Sequence, residues 1–253
     1  NSRAADQFPP SLMREKLGVR VVNLGLGGVS MAMNEVLFRD YVEHNGRPRL
    51  LVIEPTNLTV DPTGIGHMRL FTIFSPRMER LVRELEPKHY FAQQIFHLFR
   101  YNNENLVRVL YGVLREPEDR LHHGSITPEL VRIVRERGTS DLVRFPAKDA
   151  AFERILAFAR EQRIEVAVVS SPYLPEQLEN IGNYREWYAR LEAEAGSGVS
   201  AWDYAALFDD PRYFKDSVHM NVDGSVALVD TMLKDGVFDV LRKGPGGAGA
   251  VRP

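Results

Sequence analysis

The sequence predicts an α/β fold: a parallel sheet with helices on both faces. Two observations carry this. Residues 19–24, 50–54 and 165–170 are short, β-branched apolar runs that end in turn-forming residues, the pattern of strands buried on both sides, and residues 199–204 form a weaker fourth run. Between these runs lie stretches with apolar residues at helical spacing, at 30–44, 149–163, 184–195 and 223–233. A chain that alternates strand and helix returns each strand in the same direction, which makes the sheet parallel and places the helices against it.

The first strand reads from Val19-Arg20-Val21-Val22-Asn23-Leu24, and the second from Leu50-Leu51-Val52-Ile53-Glu54. The stretch 61–148 breaks the alternation. Its patterns, such as 78–85 and 91–114, are helical and rich in Phe, Tyr, Leu and Arg, so it reads as a helical insertion. Insertions at the C-terminal edge of parallel strands stand beside the ligand crevice of open α/β sheets. The insertion is therefore either a lid or acceptor-binding element, or a set of extra helices covering the core. Tyr90, Phe91, Phe96, Phe99 and Tyr101 within it read as helix-packing core rather than as a carbohydrate platform.

With 253 residues, 44% of them hydrophobic, the chain supports one large core, and residues 1–242 read as a single domain. The tail 243–253, with its Gly-Pro-Gly-Gly-Ala-Gly-Ala run, reads as disordered. Lys and Arg total 32 against 34 for Asp and Glu, with no long block of either sign, which argues against nucleic acid as a partner. The absence of cysteine excludes disulfides, thiolate metal sites and a cysteine nucleophile. No apolar run reaches the roughly 18 residues that a membrane span needs.

The strongest local signal is Tyr213-Phe214-Lys215-Asp216-Ser217-Val218-His219-Met220-Asn221-Val222-Asp223-Gly224. An Asp three residues before a His, on a loop running into a helix near Asp223, can set its carboxylate against one imidazole nitrogen. The other nitrogen is then left to face a cleft. That arrangement fixes the tautomer and stabilises the imidazolium that forms when the His accepts a proton.

Asn1-Ser2-Arg3, Asn23 to Gly28, Leu51 to Asn57 and Asp216 to His219, in that order, resemble four sequence blocks of the SGNH/GDSL superfamily of serine esterases and acyltransferases. Asn1-Ser2-Arg3 is similar to the nucleophile block that follows that family's first strand, and Asn23-Leu24-Gly25-Leu26-Gly27-Gly28 is similar to the second block. Leu51-Val52-Ile53-Glu54-Pro55-Thr56-Asn57 resembles the third, with Pro55 where a glycine is usual and Leu58 where an aspartate follows. Asp216 to His219 resembles the last.

The resemblance implies a flavodoxin-like three-layer α/β/α sandwich and hydrolysis or transfer of an acyl ester. It assigns Ser2 as nucleophile, with His219 and Asp216 completing the triad. The oxyanion hole would comprise the Ser2 N–H, the Gly28 N–H and the Asn57 side-chain amide. Asn57 has a second reading, as a residue that merely caps the turn after its strand.

No metal or organic cofactor is implied. Ser-Arg forms of the first block resemble exported proteins of polysaccharide acetylation. The expected substrate is thus a small acyl ester or an acylated glycan, with a membrane acyltransferase as a candidate partner. The expected location is periplasmic or cell-surface, with a first strand and any targeting segment lying outside this chain. The competing reading is a catalytically silent module of the same fold that binds a glycan or a partner protein.

Other candidates are weaker. His122-His123 beside Gly124 reads as a solvated turn, and His67 as a loop residue without catalytic duty. Gly25-Leu26-Gly27-Gly28 after a strand, with Glu54 ending the next one, is the rival reading as a dinucleotide loop and ribose-binding acid, although the full Gly-x-Gly-x-x-Gly spacing is lacking. Ser170-Ser171-Pro172-Tyr173 closes a strand and is expected to line the cleft without taking part in chemistry.

Overall fold

The computed structural model describes residues 1–59, 65–101 and 121–242, apart from the side chains of 65–67 and 100. Proline at the first helical turn opens much of the helical structure, because its missing N–H is one the helix could not have satisfied there. Helices α2 (Pro10–Leu17), α4 (Pro76–Leu85), α5 (Pro87–Ile95), α6 (Pro128–Arg135), α7 (Pro146–Glu161) and α8 (Pro175–Glu179) all begin this way. The six-residue α1 (Ser2–Gln7) is capped by Asn1, and α3 (Met31–Asn45) by Ser30. Further along are α9 (Tyr184–Ala195), α10 (Val222–Asp235) and α11 (Asp239–Arg242). Gly18 and Gly236, both left-handed, end α2 and α10.

The protein is mixed α/β, with a small open parallel sheet in the order β1-β2-β3. The strands are β1 (Leu50–Ile53), β2 (Glu165–Ser170) and β3 (Val199–Asp203). Leu50 pairs with Glu165, and Val166 with Val199.

Strand β2 is central, and the alternation of its side chains divides the core. Val166 and Val168 pack among Met31 and Phe38 of α3, Phe152 and Ile155 of α7, and Trp187 and Leu191 of α9. Ala167 and Val169 join the opposite cluster, with Met13 of α2, Val134 of α6, and Leu228, Val229 and Met232 of α10. Burial of each large apolar side chain contributes about 1.5–3 kcal/mol, so this two-sided wrapping is the main force holding the strands together.

Several expectations are corrected. Residues 19–24 form no strand. They line one wall of a cavity of about 470 Å³ whose other wall includes β1. A β-branched run becomes a strand only when its backbone groups pair with a neighbour, and among the described residues no ladder joins this segment to β1.

The aromatic set in the insertion is divided: Tyr90 packs against the buried cluster of Met33, Met78 and Val82, as expected of core, whereas Phe91, Phe96 and Tyr101 are exposed. The helix expected over 91–114 ends at Ile95 in its described part, and α5 turns Gln93 inward while Phe91 and Ile95, four residues apart, face outward. Residues 102–114 of that stretch, 61–64 and 115–120 of the insertion, and the tail 243–253 lie outside the described residues. So does the side chain of His67.

Candidate active site

The site is assembled where α1 crosses the C-terminal ends of β1 and β2 and meets the loop before α10. Ser2 is the first residue of α1. The Asn1 side chain caps this helix by accepting a hydrogen bond from the Ala4 N–H at 2.8 Å. A helix of one and a half turns does not hold itself together in water, so its position depends on tertiary contacts.

Those contacts are numerous. Asn23 donates to the carbonyls of Ala4 and Phe8 at 2.7 and 2.9 Å. Gly25 approaches so closely that an added Cβ would stand 2.5 Å from the Ala5 nitrogen, which explains the need for glycine there.

The loop from Phe214 to Met220 is pinched at its base by an antiparallel bridge between those two buried residues. The Lys215 N–H donates to the His219 carbonyl at 3.0 Å. Within the loop, one oxygen of the Asp216 carboxylate accepts from the N–H groups of Val218 and His219 at 3.0 and 2.9 Å. Its oxygens lie 2.9 and 3.0 Å from His219 Nδ1.

Half-burial alone would raise the Asp216 carboxyl. The hydrogen bonds from His219 and the Val218 N–H, with the nearby imidazole charge, outweigh it and hold the group at about 2. An anion on the Nδ1 side favours the tautomer in which Nδ1 carries hydrogen and Nε2 is free to accept.

His219 Nε2 stands 2.8 Å from the Ser2 hydroxyl. Ser2, His219 and Asp216 thus form one hydrogen-bonded chain, in the order the sequence suggests. The helix after the loop begins at Val222, beside Asp223 where helix entry is expected, and is capped by Asn221, whose Oδ1 accepts from the Gly224 N–H at 3.0 Å.

The glycine loop lies beside the serine. A Cβ on Gly27 would sit 3.7 Å from that of Ser2, and Gly28 follows with a left-handed φ of 70°. Asn57 lies in the 3₁₀ turn Pro55–Leu58, buried, and its Nδ2 has no hydrogen-bond partner among the described residues. The cap of that turn is Glu54, whose carboxylate accepts from the Thr56 N–H at 3.1 Å, which corrects the reading of Asn57 as the capping group.

Glu54 is not a ribose-binding acid. Its side chain is fully buried and engaged by Asn1, Arg3 and Thr56. Ser170, Ser171 and Tyr173 are buried rather than cleft-lining, and the carbonyls of Ser171 and Pro172 accept from Arg3. His122 stands 3.9 Å from the Asp6 carboxylate, and its carbonyl accepts from the Val222 N–H at 2.8 Å.

Sequence reasoning missed the residues that join α1 to the histidine loop and to the start of α10. Lys215 Nζ reaches the Asp6 carboxylate at 2.7 Å, the Gln7 side chain donates to the Val218 carbonyl at 3.0 Å, and the Ser225 hydroxyl donates to the Asp6 carbonyl at 3.3 Å. No spacing rule reveals such pairs, because each joins segments more than 200 residues apart.

This geometry supports one chemical act above others. The imidazole is aligned to take the Ser2 proton while the Asp216 carboxylate stabilises the resulting cation. No protein-family model matches the chain, and no significantly similar curated protein was found.

Proposed function

We propose that the protein is a serine esterase or O-acyltransferase of the SGNH/GDSL type, with the flavodoxin-like three-layer sandwich of that superfamily. The observation that carries the reading is the 2.8 Å contact between Ser2 Oγ and His219 Nε2, backed by Asp216 on the other ring nitrogen. Three residue types in that order are what a neutral-pH hydroxyl nucleophile requires.

In the proposed reaction the Ser2 oxygen attacks the ester carbonyl and its proton passes to His219 Nε2. The tetrahedral oxyanion is received by the Ser2 N–H, the Gly28 N–H and the Asn57 amide. The Ser2 N–H belongs to the first turn of α1, where no intrahelical carbonyl is available to it, and the Asn57 Nδ2 is buried with no partner among the described residues. Collapse expels the alcohol, which takes the proton from His219, and leaves the acyl group on Ser2. Water or a substrate hydroxyl, deprotonated by His219, then removes it. The proposed substrates are short acyl esters, acetyl foremost, carried by a carbohydrate or cell-envelope polymer.

A fluorophosphonate probe tests this without the natural acceptor, because it needs only an activated hydroxyl. The expected result is one covalent adduct on Ser2 by peptide mass spectrometry, absent in Ser2→Ala, together with a burst of p-nitrophenol from p-nitrophenyl acetate. A folded protein that leaves Ser2 unlabelled under these conditions overturns the proposal.

A further inference from the structure

Arg3 and Glu54 form a buried pair directly behind Ser2. Their side chains are 3% and 0% exposed, with Arg3 Nε 3.4 Å from a Glu54 oxygen. The guanidinium spans the ends of two strands. Its Nη2 donates to the carbonyls of Ser171 at 2.6 Å and Pro172 at 3.0 Å, just beyond β2, and its Nη1 donates to the Thr56 hydroxyl at 3.3 Å, just beyond β1. Its face lies 3.8 Å from the centre of the Tyr173 ring.

Glu54 makes the complementary set. One oxygen accepts from the Thr56 hydroxyl at 2.7 Å, and the other accepts from the Thr56 N–H at 3.1 Å and from the Asn1 side-chain amide. The two residues flanking Ser2 are therefore both tied to Glu54. The same carboxylate caps the turn that carries Asn57.

A buried ion pair is an uneconomical way to gain stability alone, because desolvation offsets most of the attraction. What it supplies is fixed geometry: a planar fork with several directed donors admits one arrangement of its acceptors. Resting on the esterase reading, we infer that Arg3 and Glu54 are positioning residues that set the Ser2 hydroxyl and the Asn57 amide relative to each other. Neither touches the reacting atoms. Their work is to keep a six-residue helix and a four-residue turn in register at the reacting centre.

The test compares the parent with Glu54→Gln, which keeps shape but removes the charge, and Arg3→Lys, which keeps charge but cannot reach all three oxygens. Val229→Ala, in the core beneath α10, serves as a control of lowered stability. All are assayed with p-nitrophenyl acetate and the fluorophosphonate probe at a temperature where circular dichroism shows each fully folded. The expected result is a kcat and labelling rate lowered about 10²-fold in Glu54→Gln, the scale of an ångström-level misplacement, and about tenfold in Arg3→Lys. KM stays within about twofold and the midpoint of the kcat–pH profile does not move, as a loss of placement rather than of binding or basicity requires. Val229→Ala keeps the parental kcat although its melting temperature falls.

If Glu54→Gln does not fold, Arg3→Lys carries the test. A folded Arg3→Lys or Glu54→Gln with parental kcat, or one whose loss lies wholly in KM, overturns the inference. A parent that does not label at Ser2 overturns the esterase reading and the inference together, whereas a labelling parent with unaffected variants overturns the inference alone.

Discussion

His219 Nε2 and Ser2 Oγ stand 2.8 Å apart although 217 positions separate them in the chain. The contact is held in place because α1 is fastened to the histidine loop through Lys215 to Asp6 and Gln7 to Val218, and to α10, which follows the loop, through Ser225 to Asp6. A hydroxyl and an imidazole held in this way are ready for proton transfer before any substrate arrives.

On the proposed esterase reading, removing either partner should abolish the chemistry without additive loss. Ser2→Ala and His219→Ala are each expected to lower kcat on p-nitrophenyl acetate by at least about 10³-fold, with the double variant no worse than the singles, because the two act as one unit. Steady-state kinetics on all three, with circular dichroism to show folding, checks this.

Asp216→Asn should cost about 10³–10⁴-fold in kcat, since an amide in that place favours the wrong imidazole tautomer. It should also change the pH dependence of stability. The Asp216 carboxyl titrates at about 2 in the folded protein, below its ordinary value of 3.8. Its contribution is therefore complete above the unfolded value and is lost as pH falls from about 4 towards 2. Urea melts across pH 2–6 should show a stability gap between parent and variant that is constant at the upper end and closes at the lower.

Asn57→Ala should separate activity from stability. The expected kcat is lowered about 10²–10³-fold, as for the loss of one oxyanion donor. The melting temperature should fall by less than the usual cost of truncating a buried, fully satisfied amide, because the Nδ2 has no partner to lose among the described residues. Differential scanning calorimetry beside the kinetics decides it.

Gly224→Ala should loosen the loop rather than the chemistry. A Cβ there would overlap the Tyr213 carbonyl oxygen and stand 2.7 Å from Met220 Cε, against the bridge that closes the histidine loop. Chemical denaturation should show a loss of about 1–3 kcal/mol, typical of overpacking.

Taken by itself, the sequence determined the α/β class, the span of α9 and, within a few residues, those of α3, α7 and α10, because apolar periodicity is a local property that helices and buried strands express residue by residue. It also pointed to Asp216 and His219, three positions apart on one loop, and to Ser2, Gly28 and Asn57 through motif order.

Tertiary structure alone decided that Ser2 meets His219, that residues 19–24 are not a strand, and that Glu54 is buried against Arg3 rather than free for a ligand. Hydrogen bonds and ion pairs between distant segments leave no periodic trace, and a strand is defined by its neighbour as much as by its own residues.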